Sequence, residues 1–236
     1  MQYDVKYTDE QQAVRLMDVE QVKDLLARRA YYLDADDRAG ELEALWVREA
    51  ENRLSASYGE NWGYFTGMDS LKAHYGAPRA SRDMGFGAVH TVNTGHVILA
   101  WDGKTARGLF YDVYERCELQ PDGSVQTIVV CGPVACDFMK EADGWKIWHL
   151  FQGADHVFTV GQDYAEVPIP RPQESNPAAQ NFFAFGTPDV LLNTYDPDYG
   201  WADNYPALPE PYMTFDPLSG YGPEGHPNYV KEVLFS

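Results

Sequence analysis

Positive charge is what this chain has least of. Lysine and arginine number 18 against 36 aspartates and glutamates, a formal net charge of −18 over 236 residues. The longest basic cluster is Arg28-Arg29, which reads as part of a helix surface. Nucleic acid is held by clustered Lys and Arg, so it is excluded as a partner. A field this negative repels anionic substrates at long range and favours a neutral or phenolic ligand. Long apolar runs are missing as well, and none reaches the ~20 residues of a membrane span. The first residues lack the basic and apolar regions of a signal peptide, so the expected location is the cytoplasm. Cysteine is scarce: Cys117, Cys131 and Cys136 form an odd set with no Cys-x-x-Cys spacing, the pattern of buried reduced thiols. There is no Gly-x-Ser-x-Gly, no Gly-x-Gly-x-x-Gly and no phosphate-binding loop. A serine nucleophile and a nucleotide cofactor are therefore not expected.

What is present points to an ordered α+β protein. Hydrophobic residues make up 44% and aromatics 14% of the chain, too much for a disordered one. Asp-Gly occurs at Asp102-Gly103, Asp122-Gly123 and Asp143-Gly144, between runs rich in Val, Ile, Tyr, Phe, Trp and Thr. Such pairs tolerate positive φ and mark tight hairpins. Three in series predict four antiparallel strands over 88–100, 104–118, 125–140 and 145–158. Upstream, Val19, Val22, Leu26, Ala30 and Leu33 recur at helical spacing. Asp18 is the expected N-cap, with Gln21 in capping-box position. Residues 1–17 read as a polar lead-in, and the acidic run Asp34, Asp36, Asp37 with Gly40 ends the helix. A short helix is expected around Leu42, Leu45 and Trp46, and another from Met68 to Tyr75, capped by Thr66 or Asp69. The aromatic stretch Tyr58 to Phe65 reads as irregular. Helices followed by one long meander give helices packed on a curved antiparallel sheet, which makes a cup.

Composition changes near residue 160. Twelve of the fifteen prolines lie in 161–236, with two basic residues, eleven acidic ones and thirteen aromatics. The expected division is a domain over 1–160 and an irregular Pro- and Tyr-rich arm over 161–236, ordered by packing on the domain or on a neighbouring subunit.

Strand alternation sorts the candidate site residues. His90, Val92, Thr94, His96 and Ile98 share one face of the first strand. Phe110, Asp112 and Tyr114 share one side of the second, and Tyr111 lies on the other. Neither face of any strand is cleanly polar, so both are expected to be covered.

Three pieces carry a family resemblance. The helix end Ala30-Tyr31-Tyr32-Leu33-Asp34-Ala35-Asp36-Asp37, the strand start Ala88-Val89-His90-Thr91-Val92-Asn93 and the segment Ala142-Asp143-Gly144-Trp145-Lys146-Ile147 resemble SnoaL-like members of the NTF2-like superfamily over roughly residues 15–155. The resemblance implies a cone-shaped barrel with a pocket between helices and sheet, in a homotrimer or a dimer. Fold alone does not fix function. Within the superfamily, Asp34 and His90 resemble the aspartate and strand histidine of scytalone dehydratases, and Tyr58 resembles their pocket tyrosine. Leu33 departs from the second pocket tyrosine, and Gly132-Pro133-Val134-Ala135-Cys136 departs from the polar ligands of that branch. In length, aromatic content and Pro- and Tyr-rich tail the chain resembles the diarylpropane formaldehyde lyases of lignin-degrading bacteria. That resemblance implies a cofactorless lyase of lignin-derived aromatic dimers, with a simple dehydratase or isomerase as the alternative, and a non-catalytic binding module or dioxygenase small subunit as the alternative of another class.

A histidine oriented by a carboxylate can take and return a proton near neutral pH. Asp34 and His90 are the expected pair, with Arg79 holding a phenolate or hydroxyl oxygen and Tyr58 completing the catalytic set. Tyr32, His96, Tyr111, Phe110 and Trp62 are the expected substrate-contacting residues, their rings stacking on an aromatic ligand. His90, His96 and Asp112 could imitate a two-histidine, one-carboxylate metal site, but the spacing is no recognised ligand motif and no metal is expected.

Overall fold

The computed structural model of the chain describes residues 6–61, 63–77, 88–93, 95–119, 122–161, 188–192 and 206–227. The fold is α+β, with a few helices packed on a curved sheet that does not close.

Helix α1 (Asp9–Asp34) starts well before the expected Asp18. The Thr8 hydroxyl accepts the Gln11 backbone N–H at 3.2 Å, and the Gln11 side chain accepts that of Thr8 at 3.0 Å. This capping box lies upstream of Asp18-x-x-Gln21, and no Gly or Pro between them stops the helix. Val14, Leu16 and Met17 remain exposed, so this first part of α1 shows no amphipathic period. Asp18 is instead buried, accepting from Lys140 Nζ at 2.7 Å and Trp145 Nε1 at 2.8 Å.

Helices α2 (Arg38–Leu45), α3 (Ala50–Ser55) and α4 (Met68–Ala73) follow. The N-cap of α4 is Gly67 at φ +81°, not Thr66 or Asp69. The stretch expected to be irregular forms a hairpin of β1 (Ser57–Glu60) and β2 (Gly63–Thr66). Strand β1 runs parallel to β7 and extends the sheet.

The meander forms β3 (Ala88–Val92), β4 (His96–Leu99), β5 (Thr105–Leu119), β6 (Val125–Glu141), β7 (Gly144–Gln152) and β8 (His156–Thr159), and β9 (Val190–Leu191) adds to β2. Gly103, Gly123 and Gly144 all take positive φ at the hairpin turns. The first and last predicted strands are each broken once. Val92 pairs with Asp112 and His96 with Leu109, so four steps on one strand face three on the other. That single extra residue is a bulge, and it exchanges the two faces of everything beyond it. Gly95 sits in it because a Cβ there would lie 2.1 Å from the Phe110 ring. Between Gln152↔Val134 and His156↔Cys131 the same count recurs. Here a Cβ on Gly132 would meet the Gly153 carbonyl at 2.0 Å.

The inner face of the sheet packs under α1. Leu26, Leu33, Phe110, Phe138, Ile147 and Leu150 belong to one buried cluster, each contributing roughly 1.5–3 kcal/mol of hydrophobic stabilisation. The outer face carries a second cluster of Tyr64, Ala135, Phe151, Leu192 and Tyr221. Residues 206–227 lie on that outer face, where Arg107 Nη2 donates to the Asp216 carbonyl and Asp137 accepts the Tyr221 N–H. The three cysteines are unpaired, and only Cys136 is fully buried. Among the described residues, no helix is long and apolar enough to cross a membrane.

Candidate functional site

Register brings the first two site residues together. His90 pairs with Tyr114 and Val92 with Asp112, so His90 and Asp112 are diagonal neighbours on the inner face. The His90 Nδ1 lies 2.9 Å from Asp112 Oδ2, and the two side chains are 5% and 2% exposed. The Tyr114 ring stacks on the imidazole at 4.6 Å. Asp34, the last residue of α1, accepts the backbone N–H of His90 at 2.8 Å. The expected Asp34–His90 pair is thus in contact, but through the main chain. The carboxylate that orients the imidazole is that of Asp112, while Nε2 of His90 makes no hydrogen bond to the described residues.

A polar chain, buried except at the half-buried Gln152, continues behind Asp112. Gln152 Nε2 donates to the same Asp112 oxygen at 3.2 Å, and Gln152 Oε1 accepts from Arg29 Nη2 at 2.8 Å. Arg29, 1% exposed, lies 3.3 Å through Nε from Glu41 Oε1. Glu41 also accepts from Trp46 Nε1 at 3.0 Å and from the Tyr75 hydroxyl. Burial opposes the Arg29 charge, but Tyr75, Glu41, Tyr58 and Asp112 outweigh it and hold the guanidinium more firmly protonated. Burial raises the Tyr75 and Tyr58 hydroxyls, helped by Glu41 at the first and by Glu60 at the second. Both phenols are neutral hydrogen-bond donors at ordinary pH.

The other expected residues scatter. Tyr58 is buried, donates to Glu60 Oε1 at 2.8 Å and packs on the Tyr75 ring at 4.3 Å. Phe110 is a core side chain packed under the bulge, and Tyr32 is half-buried at the edge of the core. His96 is exposed and faces away from His90, because the bulge turned its strand over. Tyr111 lies on the same outer side and is 36% exposed. Arg79 and Trp62 lie outside the described residues. With His96 turned away, the imagined His90, His96 and Asp112 metal trio is not assembled, and no group of three ligands occurs among the described residues.

Sequence reasoning missed Arg29, Gln152, Tyr75 and Glu41, and gave Asp112 only a metal-ligand role. Arg29 is not helix surface: it lies three residues after Leu26 and four before Leu33, on the buried stripe of α1. That spacing was the available signal.

A family model described as a SnoaL-like domain matches residues 14–150, more than half of the chain. The chain belongs to the SnoaL-like family. No curated protein matches this SnoaL-like chain in sequence. Solved structures resemble its fold. An NTF2-like protein with a cystatin-like fold from Novosphingobium aromaticivorans is 20% identical, covers 68% of this chain and 96% of its own, and superposes with a TM-score of 0.48. A hexachlorocyclohexane dehydrochlorinase, LinA-type3 from Novosphingobium barchaimii, is 13% identical over 65% and 97%, with a TM-score of 0.46. A variant of a protein of unknown function from Mycobacterium tuberculosis is 14% identical over 73% and 91%, with a TM-score of 0.49.

Proposed function

We propose that this SnoaL-like protein is a cofactor-independent lyase that moves a proton with His90. The observation that carries the reading is the His90–Asp112 pair, buried on the inner face with Nε2 of His90 unengaged by the described residues. A carboxylate on Nδ1 keeps a hydrogen there and stabilises the imidazolium, so Nε2 is the atom that gains and loses the proton.

The substrate class we assign is a phenolic aromatic dimer of lignin type, bearing a benzylic hydroxyl and a neighbouring hydroxymethyl group. The chain's strong negative charge favours a ligand of low charge. The imidazolium gives its Nε2 proton to the benzylic hydroxyl, which leaves as water. The phenolate electrons move in to form a quinone methide. Neutral Nε2 then takes the hydroxymethyl O–H proton, the carbon–carbon bond breaks, and formaldehyde leaves. The bonding pair forms the alkene and restores the phenolate, and the imidazolium is regenerated. Loss of a carbon-bound proton instead gives simple dehydration. Tyr32 is assigned to the substrate ring and Arg79 to the phenolate oxygen.

The test incubates the protein with a phenolic 1,2-diaryl-1,3-diol and follows alkene absorbance and formaldehyde. Equal amounts of both support the lyase, and alkene without formaldehyde supports the dehydratase. Turnover unchanged in His90→Ala overturns both.

A further inference from the structure

We infer that Gln152 is a positioning residue for the His90–Asp112 pair; the inference rests on the acid–base reading above. A side-chain amide can accept at one end and donate at the other, and its neighbours decide which end is which. Arg29 can only donate, so the end 2.8 Å from its Nη2 is the oxygen. The nitrogen then faces Asp112 Oδ2 at 3.2 Å. That oxygen accepts twice, from Gln152 and from Nδ1 of His90. An oxygen occupied by two donors has no place for a proton of its own. The hydrogen on Nδ1 stays there, and exchange is confined to Nε2.

The amide is aimed by the fold. Gln152 ends β7, one residue before Gly153, whose carbonyl closes on Gly132 at the corner leading to β8. Gly132 is the strand partner of Asp112. The same tight corner therefore sets Gln152 and Asp112 in relation to each other. Arg29, anchored by Glu41 and Tyr75, fixes the far end of the amide. The Gln152 amide touches Asp112 and Arg29, and Asp112 touches the imidazole, so the inferred effect on His90 runs through Asp112.

A double-mutant cycle on the full chain tests this, read by turnover of the phenolic diol and by the downfield proton resonance of His90 Nδ1–H. Gln152→Leu is expected to lower kcat about tenfold, the scale of a hydrogen bond to a charged group, with KM changed less than about twofold. In the Asp112→Asn background the same substitution is expected to change kcat less than about twofold. The Nδ1–H resonance is expected to move in Gln152→Leu and to vanish in Asp112→Asn. Gln152→Glu keeps the length and the Arg29 contact but turns an acceptor toward Asp112, and it is expected to move the resonance as well. Multiplicative losses of kcat, or a resonance unmoved by both Gln152 variants, overturn the role. If the wild type turns over no phenolic diol, the lyase reading fails and the resonance alone decides the role of Gln152.

Discussion

Asp34 holds His90 by its backbone and leaves the imidazole to Asp112. The first contact is 2.8 Å to the main-chain N–H, and the second is 2.9 Å to Nδ1. The end of α1 thereby fixes where β3 sits, and β5 fixes how the ring is turned. Two carboxylates near one histidine have separate tasks, and substitution separates them. Asp112→Asn is expected to lower kcat by on the order of 100-fold, the scale of general acid–base catalysis. Asp34→Asn keeps an oxygen to accept the backbone N–H and is expected to stay within about threefold, the asymmetry being that only Asp112 touches the ring. Steady-state kinetics of the two variants side by side make the comparison.

On the outer face, Arg107 ties residues 206–227 to the sheet. Its Nη2 donates to the Asp216 carbonyl and Ser219 Oγ, both at 3.0 Å, and the Tyr212 ring lies 4.4 Å from the guanidinium. Its Nε is 3.6 Å from Asp137 Oδ1, a fully buried carboxylate. Asp137 would keep His149 Nδ1 at 2.8 Å and the Tyr221 N–H but lose the guanidinium, and removing the cation from a buried pair is costly. Arg107→Met is expected to cost roughly 3 kcal/mol of stability and to speed proteolysis within 206–227. Denaturant unfolding and mass-resolved digestion measure both effects.

His226 gives that segment a pH dependence. It is buried against the Tyr64 and Phe151 rings at 6.1 and 5.5 Å, and burial pushes its imidazole down to about 4. Its unfolded value is about 6.5. Above about pH 6.5 both states are neutral, and the full stability is present. Between about 6.5 and 4 the unfolded chain binds a proton that the folded chain does not, so stability falls as pH falls, by at most about 3 kcal/mol. The unfolding free energy of the wild type relative to His226→Gln is expected to fall as pH falls through this window, because the variant lacks this slope.

At the corner between β7 and β8, Gly132 has no room for a side chain. A Cβ would lie 2.0 Å from the Gly153 carbonyl, and backbone cannot swing aside as a flexible side chain does. Gly132→Ala is expected to destabilise the protein by about 2 kcal/mol. It is also expected to lower kcat, since Gln152 and Asp112 flank the disturbed corner. Thermal unfolding and turnover of the folded fraction measure the two effects.

The hairpins were legible because Asp-Gly is a local signal: each pair turns at its own glycine, wherever the strands lead. The breaks in the strands were not. One extra residue near Gly95 has almost no compositional mark, yet it reverses the face of His96 and removes it from the site. The approach of Asp34 to His90 was legible from the family resemblance. The partner of the imidazole was not, because choosing Asp112 requires the register Val92↔Asp112, which no local pattern fixes. Arg29 was hidden beside Arg28, where two adjacent charges suggest solvent; its place on the Leu26 and Leu33 stripe carried more weight. The early start of α1 was hidden by exposed Val14, Leu16 and Met17, which break the helical period.

The proposed chemistry turns on the imidazole of His90 carrying the proton. Chemical rescue of His90→Ala by added imidazole tests it most directly. Turnover of the phenolic diol is expected to fall by on the order of 100-fold or more and then to recover in a saturating way as imidazole is added. Wild-type turnover in His90→Ala, with no response to imidazole, would contradict it.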